Sequence, residues 1–124
     1  MRIIIDTIPH SDQRYNTVGD YFQAEDALVI NVSQLADRRE MLLIAIHELV
    51  EWALCDVAGI SNEAIDAFDL QYPESADQEP GDSISAPYRR QHLIASGVEK
   101  ILAAEMGVNW LEYETHCQEA GRLE

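Results

Sequence analysis

Cysteine and basic residues are both scarce in this chain. Of its 124 residues only two are cysteines, Cys55 and Cys117, too few for a disulfide framework or a cysteine-rich zinc finger. Only 8 residues are Lys or Arg while 23 are Asp or Glu, so the formal net charge is −15. Because such a charge repels phosphate groups and anionic membrane surfaces, the composition argues against direct binding to nucleic acid or to a membrane.

A long apolar run is also missing. The most apolar stretch, residues 41–55, is too short for a membrane span and includes three ionisable residues. The amino terminus, Met-Arg-Ile-Ile-Ile-Asp, lacks the apolar length and the cleavage site of a signal peptide. We therefore expect a cytoplasmic protein, and the length together with 47% hydrophobic residues predicts a single domain, 1–124.

The excess of acidic residues bears on possible partners. A strongly negative surface favours hard cations and basic peptides or proteins, as substrates or as binding partners. Solubility alone accounts for most of these carboxylates. The composition does not indicate an oligomeric state.

The order of predicted elements indicates an α+β fold. Three segments rich in β-branched or aromatic residues predict strands: residues 2–8, 17–23 and 27–32. The short links between them favour an antiparallel hairpin or meander. Apolar periodicity and capping residues predict four helices: about 35–57, 62–70, 88–106, and a last one that Asn109 caps and that runs to about residue 120. Between the second and third helices, residues 73–86 form an acidic segment that we expect to be a mobile loop.

The stretch 41–55 is apolar at every position except His47, Glu48 and Glu51. A helix that is apolar on all sides is usually buried, so these ionisable groups are expected to be buried with it. At about 100° per residue, Glu51 lies about 40° from His47 and Glu48 about 100° from it, on one face. Buried charges need a partner, a shifted pKa or a metal ion. An imidazole and a carboxylate four residues apart suit zinc, and the adjacent Glu48 suits a general base.

A catalytic zinc site usually has three protein ligands, so a third ligand is needed from elsewhere. His10 lies in a polar segment and His116 in the last helix, and both are most simply solvated. His92 is the better candidate, because Tyr88 lies four residues before it and Glu99 seven after it, on the same helical stripe. Two histidines and a glutamate form a ligand set that is found in hydrolytic zinc sites.

The remaining polar residues suggest supporting roles in such a site. Glu48 would take a proton from the attacking water and pass it to the leaving group. Tyr88 would donate a hydrogen bond to the developing oxyanion, or would only anchor its helix. Glu99, Asp66 or Asp69 would orient a ligand histidine, although Asp66 and Asp69 are more simply explained as exposed carboxylates.

At residues 47–51 the sequence His-Glu-Leu-Val-Glu is similar to the His-Glu-x-x-His helix of zincin-type metallopeptidases, with a glutamate in place of the second histidine. The chain also resembles small phage and prophage proteins, which pair such a helix with a downstream Pro-Tyr-x-x-x-His helix, here Pro87, Tyr88 and His92. The first resemblance implies a zincin-like domain with a metal site. The second covers roughly residues 27–114 and implies a phage or prophage origin without a defined activity.

Three interpretations therefore stand side by side. In the leading one, the chain is a small, peptidase-like zinc-dependent hydrolase with His47, Glu51 and His92 as metal ligands. In the second, the same ion joins the helices without catalysis. In the third, no metal is bound, and a compact acidic protein, inhibitor-like and phage-encoded, binds a basic surface of a host protein.

Overall fold

The computed structural model describes residues 1–73 and 79–122 and confirms the α+β fold. Three strands come first: β1 (Arg2–Ile8), β2 (Gly19–Ala24) and β3 (Ala27–Ser33). Four helices follow: α1 (Arg38–Ala58), α2 (Asn62–Gln71), α3 (Arg89–Glu105) and α4 (Trp110–Arg122). Within the described ranges, no helix is both long enough and apolar enough to cross a membrane.

The strands form one mixed sheet in the order β1-β3-β2. β2 and β3 are an antiparallel hairpin, but β1 pairs with β3 in parallel, so the expectation of a wholly antiparallel sheet is wrong. The reason is that β3 is the most buried strand, with Leu28, Ile30 and Val32 completely buried, and it occupies the centre of the sheet. Residues 9–18 therefore carry the chain from one edge strand to the other, past the end of β3, instead of forming a short hairpin turn.

Helix α1 packs against the sheet and also against α3. The apolar core joins side chains of all these elements, and it includes Leu28, Ile30, Leu43, Ile44, Ala103 and Tyr113. Each fully buried aliphatic side chain stabilises the fold by about 1.5–3 kcal/mol relative to exposure. Because α1 is held between the sheet and α3, polar residues in its buried middle part lie against one or the other.

The helix ends follow local signals in the sequence. Side-chain oxygens cap the first turns of α1, α2 and α4, and the capping residues are Asp37, Ser61 and Asn109. Helix α1 ends at Gly59, whose φ of 75° is the left-handed conformation that favours glycine. Glu40, in the first turn of α1, is buried, and its carboxylate accepts a hydrogen bond from His116 of α4.

The acidic segment 73–86 is only partly described, because residues 74–78 of the predicted mobile loop lie outside the described residues. Its second half contains a 3-10 turn, Pro80–Asp82, which packs against α3. Gly81 is buried in this contact. The turn thereby brings acidic side chains to the first turn of α3.

Candidate metal centre

The packing of α1 on α3 brings His47, Glu51 and His92 together. The three residues are 8%, 5% and 4% exposed. Oε2 of Glu51 lies 3.1 Å from Nε2 of His47 and 3.0 Å from Nδ1 of His92, and the two nitrogens are 3.3 Å apart. These three atoms could hold a metal ion between them.

The spacing of the three atoms can be compared with zinc coordination. Ligand atoms about 2.1 Å from zinc at tetrahedral angles lie about 3.4 Å from one another. The observed separations of 3.0, 3.1 and 3.3 Å are slightly shorter, so small side-chain movements would be enough to admit an ion. Three ligands leave one tetrahedral position for another molecule, which is the arrangement of catalytic zinc sites.

In both histidines, the ring nitrogen that points away from Glu51 contacts another carboxylate. Nδ1 of His47 donates to Oε1 of Glu99 at 2.7 Å, and Nε2 of His92 donates to Oδ1 of Asp82 at 3.1 Å. Metal-ligating histidines nearly always donate their second N–H in this way, which fixes the ring and its tautomer. The nitrogens that face Glu51 are therefore free to act as ligands once they lose their protons.

Two tyrosines hold the carboxylates of the centre. The hydroxyl of Tyr21, from β2, donates to Oε1 of Glu51 at 3.1 Å. The hydroxyl of Tyr113, from α4, donates to Oε2 of Glu99 at 2.5 Å. In each carboxylate, one oxygen contacts histidine and the other accepts from a tyrosine; the histidine side of Glu51 contacts both His47 and His92. The sheet, α1, α3 and α4 all contribute to the orientation of the site.

Without a metal, protons hold the cluster together. Burial opposes protonation of His47, but its hydrogen bonds to Glu51 and Glu99 outweigh that effect and raise its pKa. The pKa of His92 is raised in the same way, against burial, by its hydrogen bond to Glu51. Burial would raise the pKa of Glu51, yet the hydrogen bonds from both histidines lower it. The cluster is therefore a set of mutually compensating charges in which a metal ion would replace protons.

Glu48 lies beside this cluster and is half-buried. Burial and the negative charge of Glu51 raise its pKa well above the ordinary value. Gly19 of β2 lies against it, since a Cβ atom at Gly19 would be 2.5 Å from Oε1 of Glu48. A general base works best when its pKa is close to the working pH, and a bound cation would lower the raised pKa towards that range.

Tyr88, expected to stabilise an oxyanion, is buried at the start of α3. Its hydroxyl donates a hydrogen bond of 2.5 Å to Oδ1 of Asp69. Asp69 is thus linked to Tyr88 and not to a ligand histidine. Asp66, the other candidate from α2, lies 3.4 Å from a guanidinium nitrogen of Arg14. Of the three carboxylates suggested as supports for a ligand histidine, Glu99 is the one placed at the centre.

The other two histidines have partners outside the cluster. The ring nitrogens of His10 lie 2.8 Å from the hydroxyl oxygen of Ser33 and 2.8 Å from the side-chain oxygen of Asn16. His116 lies 2.7 Å from a carboxylate oxygen of Glu40. These contacts hold His10 in the segment before β2 and His116 against α1, so neither histidine takes part in the candidate centre.

Sequence reasoning missed several residues that surround the centre. They are Tyr21, Gly81, Asp82, Tyr113 and Glu79, whose Oε2 lies 3.4 Å from Nε2 of His92. No spacing rule links them to the ligand histidines, because they come from a strand, a turn and a different helix. Gly81 is the one residue among them with a local sequence signal, because it is a glycine within an acidic segment. A Cβ atom there would lie 2.4 Å from Cγ of His92, so only glycine lets the turn lie flat on the imidazole ring.

No protein-family model, curated protein or solved structure matches this chain. The zincin resemblance therefore stays a prediction from the motif at residues 47–51.

Proposed function

We propose that this chain is a small zinc-dependent hydrolase of the zincin type that acts on peptides. His47, Glu51 and His92 bind the ion, and Glu48 is the general base. The observation that carries the proposal is the convergence of Oε2 of Glu51 with two imidazole nitrogens, at 3.1 and 3.0 Å, between two packed helices.

The chemistry assigns a separate task to each part of the site. A zinc ion held by these residues would supply a water with a pKa lowered to about 7, and hence a nucleophile at neutral pH. The carboxylate of Glu48 would accept the proton from that water and return it to the leaving amine. Glu99 and Asp82 keep the N–H protons of the ligand histidines in place, so that the rings do not rotate during the reaction.

The net charge indicates which peptides would be preferred. With a formal charge of −15, the protein attracts cationic chains and repels anionic ones. We extend the proposal to basic peptides or basic protein segments as substrates. The association rate of such substrates should fall as the salt concentration rises, because exposed charges are screened within about 10 Å at 0.1 M salt.

A second candidate function keeps the metal without catalysis. All three ligand residues are buried, and the hydroxyl of Tyr88 already has a partner in Asp69. In this alternative the ion joins α1 to α3 and stabilises the fold, as structural zinc does in small domains.

Elemental analysis of untagged protein, followed by a cleavage assay, tests both candidates. We expect about one zinc per chain in the wild type, loss of zinc in His47→Ala, and retention of zinc in the control His10→Ala. The zinc-loaded wild type should cleave a mixed library of basic peptides, and His47→Ala should not.

Two results would contradict these proposals. Wild-type protein that binds no divalent metal, even after zinc is added, excludes both candidates. Stoichiometric zinc without any peptide cleavage excludes the hydrolase and supports the structural ion.

A further inference from the structure

The outward face of α3 is an apolar stripe on an otherwise acidic protein. At about 100° per residue, Leu93, Ile94 and Ile101 lie within about 60° of Gly97. These three side chains are 42%, 43% and 68% exposed. Arg90 and Lys100 lie on the same stripe, whereas the acidic Glu105 lies at the far end of the helix. The chain thus presents apolar and basic groups here, although its net charge is −15.

Gly97 has no role within the chain that requires a glycine. It lies in the middle of a 17-residue helix, and a Cβ atom there would have no neighbour within 4 Å. Glycine in an exposed helix interior weakens the helix relative to alanine. A small residue at the centre of an apolar stripe allows another helix to approach closely.

We infer that this face binds a second copy of the same chain, with the two α3 helices antiparallel and crossing near Gly97. A two-fold axis beside residues 97 and 98 pairs residues whose numbers add to 195. Ile94 then meets Ile101 of the second copy, on the same side of the helix pair and at the same height. Arg90 meets Glu105 of the second copy by the same rule.

Two copies of a chain with a net charge of −15 repel each other overall, but the local charges on this face are complementary. Arg90 and Glu105 are both exposed, and neither takes part in an ion pair among the described residues. In the antiparallel arrangement, Arg90 of each copy forms an ion pair with Glu105 of the other, so the dimer contains two such pairs. A shallow depression lined by Arg89, Arg90, Leu93 and Ile94 receives Ile101 of the second copy.

The dimer does not depend on the metal centre. His92 lies five residues before Gly97 and therefore about 140° away around the helix, facing α1. The interface and the candidate site occupy opposite sides of α3. Loss of the metal and loss of the dimer are thus separate outcomes that can be measured in the same preparations.

Sedimentation equilibrium over a range of concentrations tests the inference. We expect a reversible dimer for the wild type and a monomer for Ile94→Glu. Leu70→Glu is the matched control, because Leu70 is 74% exposed on α2 and lies outside the stripe. If Ile94→Glu does not fold by circular dichroism, Ile101→Glu replaces it. A monomeric wild type, or a dimer that persists in these α3 variants, would overturn the inference.

A charge exchange tests the antiparallel register. Arg90→Glu should raise the dimer dissociation constant roughly tenfold, because two attractive contacts become repulsive. The double variant Arg90→Glu/Glu105→Arg should restore the wild-type value, since the pair is only reversed. Failure of the double variant to recover would show that these residues do not meet, and the proposed register would be wrong.

Discussion

Nδ1 of His47 donates a hydrogen bond of 2.7 Å to Oε1 of Glu99, and this bond joins α1 to α3 at the candidate metal centre. Glu99 is itself held by the hydroxyl of Tyr113. The chain Tyr113–Glu99–His47 therefore orients the imidazole so that Nε2 points at Glu51. A residue on the fourth helix thus helps to orient a candidate metal ligand on the first.

Glu99→Gln should weaken zinc binding by about 10–100-fold, the usual effect of changing the outer partner of a ligand histidine. An amide can still accept from His47, but it no longer provides a negative charge to make the ring more basic. The measurement is zinc affinity by competition with a fluorescent chelator, with the exposed Glu119→Gln as control. Unchanged affinity in Glu99→Gln would show that the carboxylate supports only the helix packing.

Gly81→Ala should displace the imidazole of His92, because the added Cβ atom has no room beside the ring. The added Cβ would lie 2.4 Å from Cγ and 2.6 Å from Nδ1 of the imidazole, so the turn must move away and Asp82 must move with it. We expect weaker zinc binding and a lower melting temperature. Ser85→Ala, at an exposed position of the same segment, is the control. Normal zinc affinity in Gly81→Ala would mean that the turn does not support the ligand.

The parts of the site that could be predicted from the sequence are those that follow from local periodicity. Glu51 follows His47 by four positions, and one helical stripe carries His92 and Glu99, so helix geometry alone suggested that the members of each pair lie on one face. The ends of α1 were predicted within a few residues, because Asp37 and Gly59 are local capping signals.

The rest depended on contacts between distant segments. The parallel pairing of β1 with β3 could not be predicted, because it is determined by which strand is buried at the centre and not by the short links. Tyr21 and Asp82 reach the centre from β2 and from the 3-10 turn, and no spacing in the sequence connects them to Glu51 or His92. The partner of the Tyr88 hydroxyl is Asp69, nineteen residues earlier, which is likewise a tertiary contact.

Removal of the metal should lower the melting temperature. A ligand that binds only the folded state stabilises it by about 2.7 kcal/mol when its free concentration is 100 times the dissociation constant. Zinc should therefore raise the midpoint by several degrees, and a chelator should reverse the shift. The control is His47→Ala, whose melting should not respond to zinc. Acidification should also release the ion, because the histidines must be deprotonated to bind it.

The contact between His116 and Glu40 should make stability depend on pH. Its hydrogen bond to the Glu40 carboxylate raises the pKa of His116 above the ordinary value, with Glu119 and Glu112 adding to the effect. A raised folded-state pKa gives stabilisation that is complete below the unfolded pKa of about 6.5 and is lost as the pH rises through the folded pKa. In chelated protein, His116→Gln should therefore lower the melting temperature most at about pH 5.5 and least at alkaline pH. Glu40→Gln should abolish the same pH dependence, and a pH-independent loss in His116→Gln would contradict the assignment.

Glu48→Gln separates a hydrolase from a protein that the ion only stabilises. The change keeps the shape of the side chain and removes no metal ligand, so zinc content should stay the same. If Glu48 is the general base, cleavage of basic peptides should fall by about 10²–10⁴-fold. Because burial and the charge of Glu51 raise the pKa of Glu48, ionised Glu48 destabilises the folded state at pH values above its unfolded pKa. The neutral amide should therefore leave the melting temperature unchanged or raise it at neutral pH.

Two outcomes would contradict this assignment. A free energy of unfolding lowered by about 1–3 kcal/mol, with unchanged cleavage, would identify Glu48 as a structural hydrogen-bond acceptor. Equal cleavage by the two proteins, prepared side by side, would remove Glu48 from the mechanism.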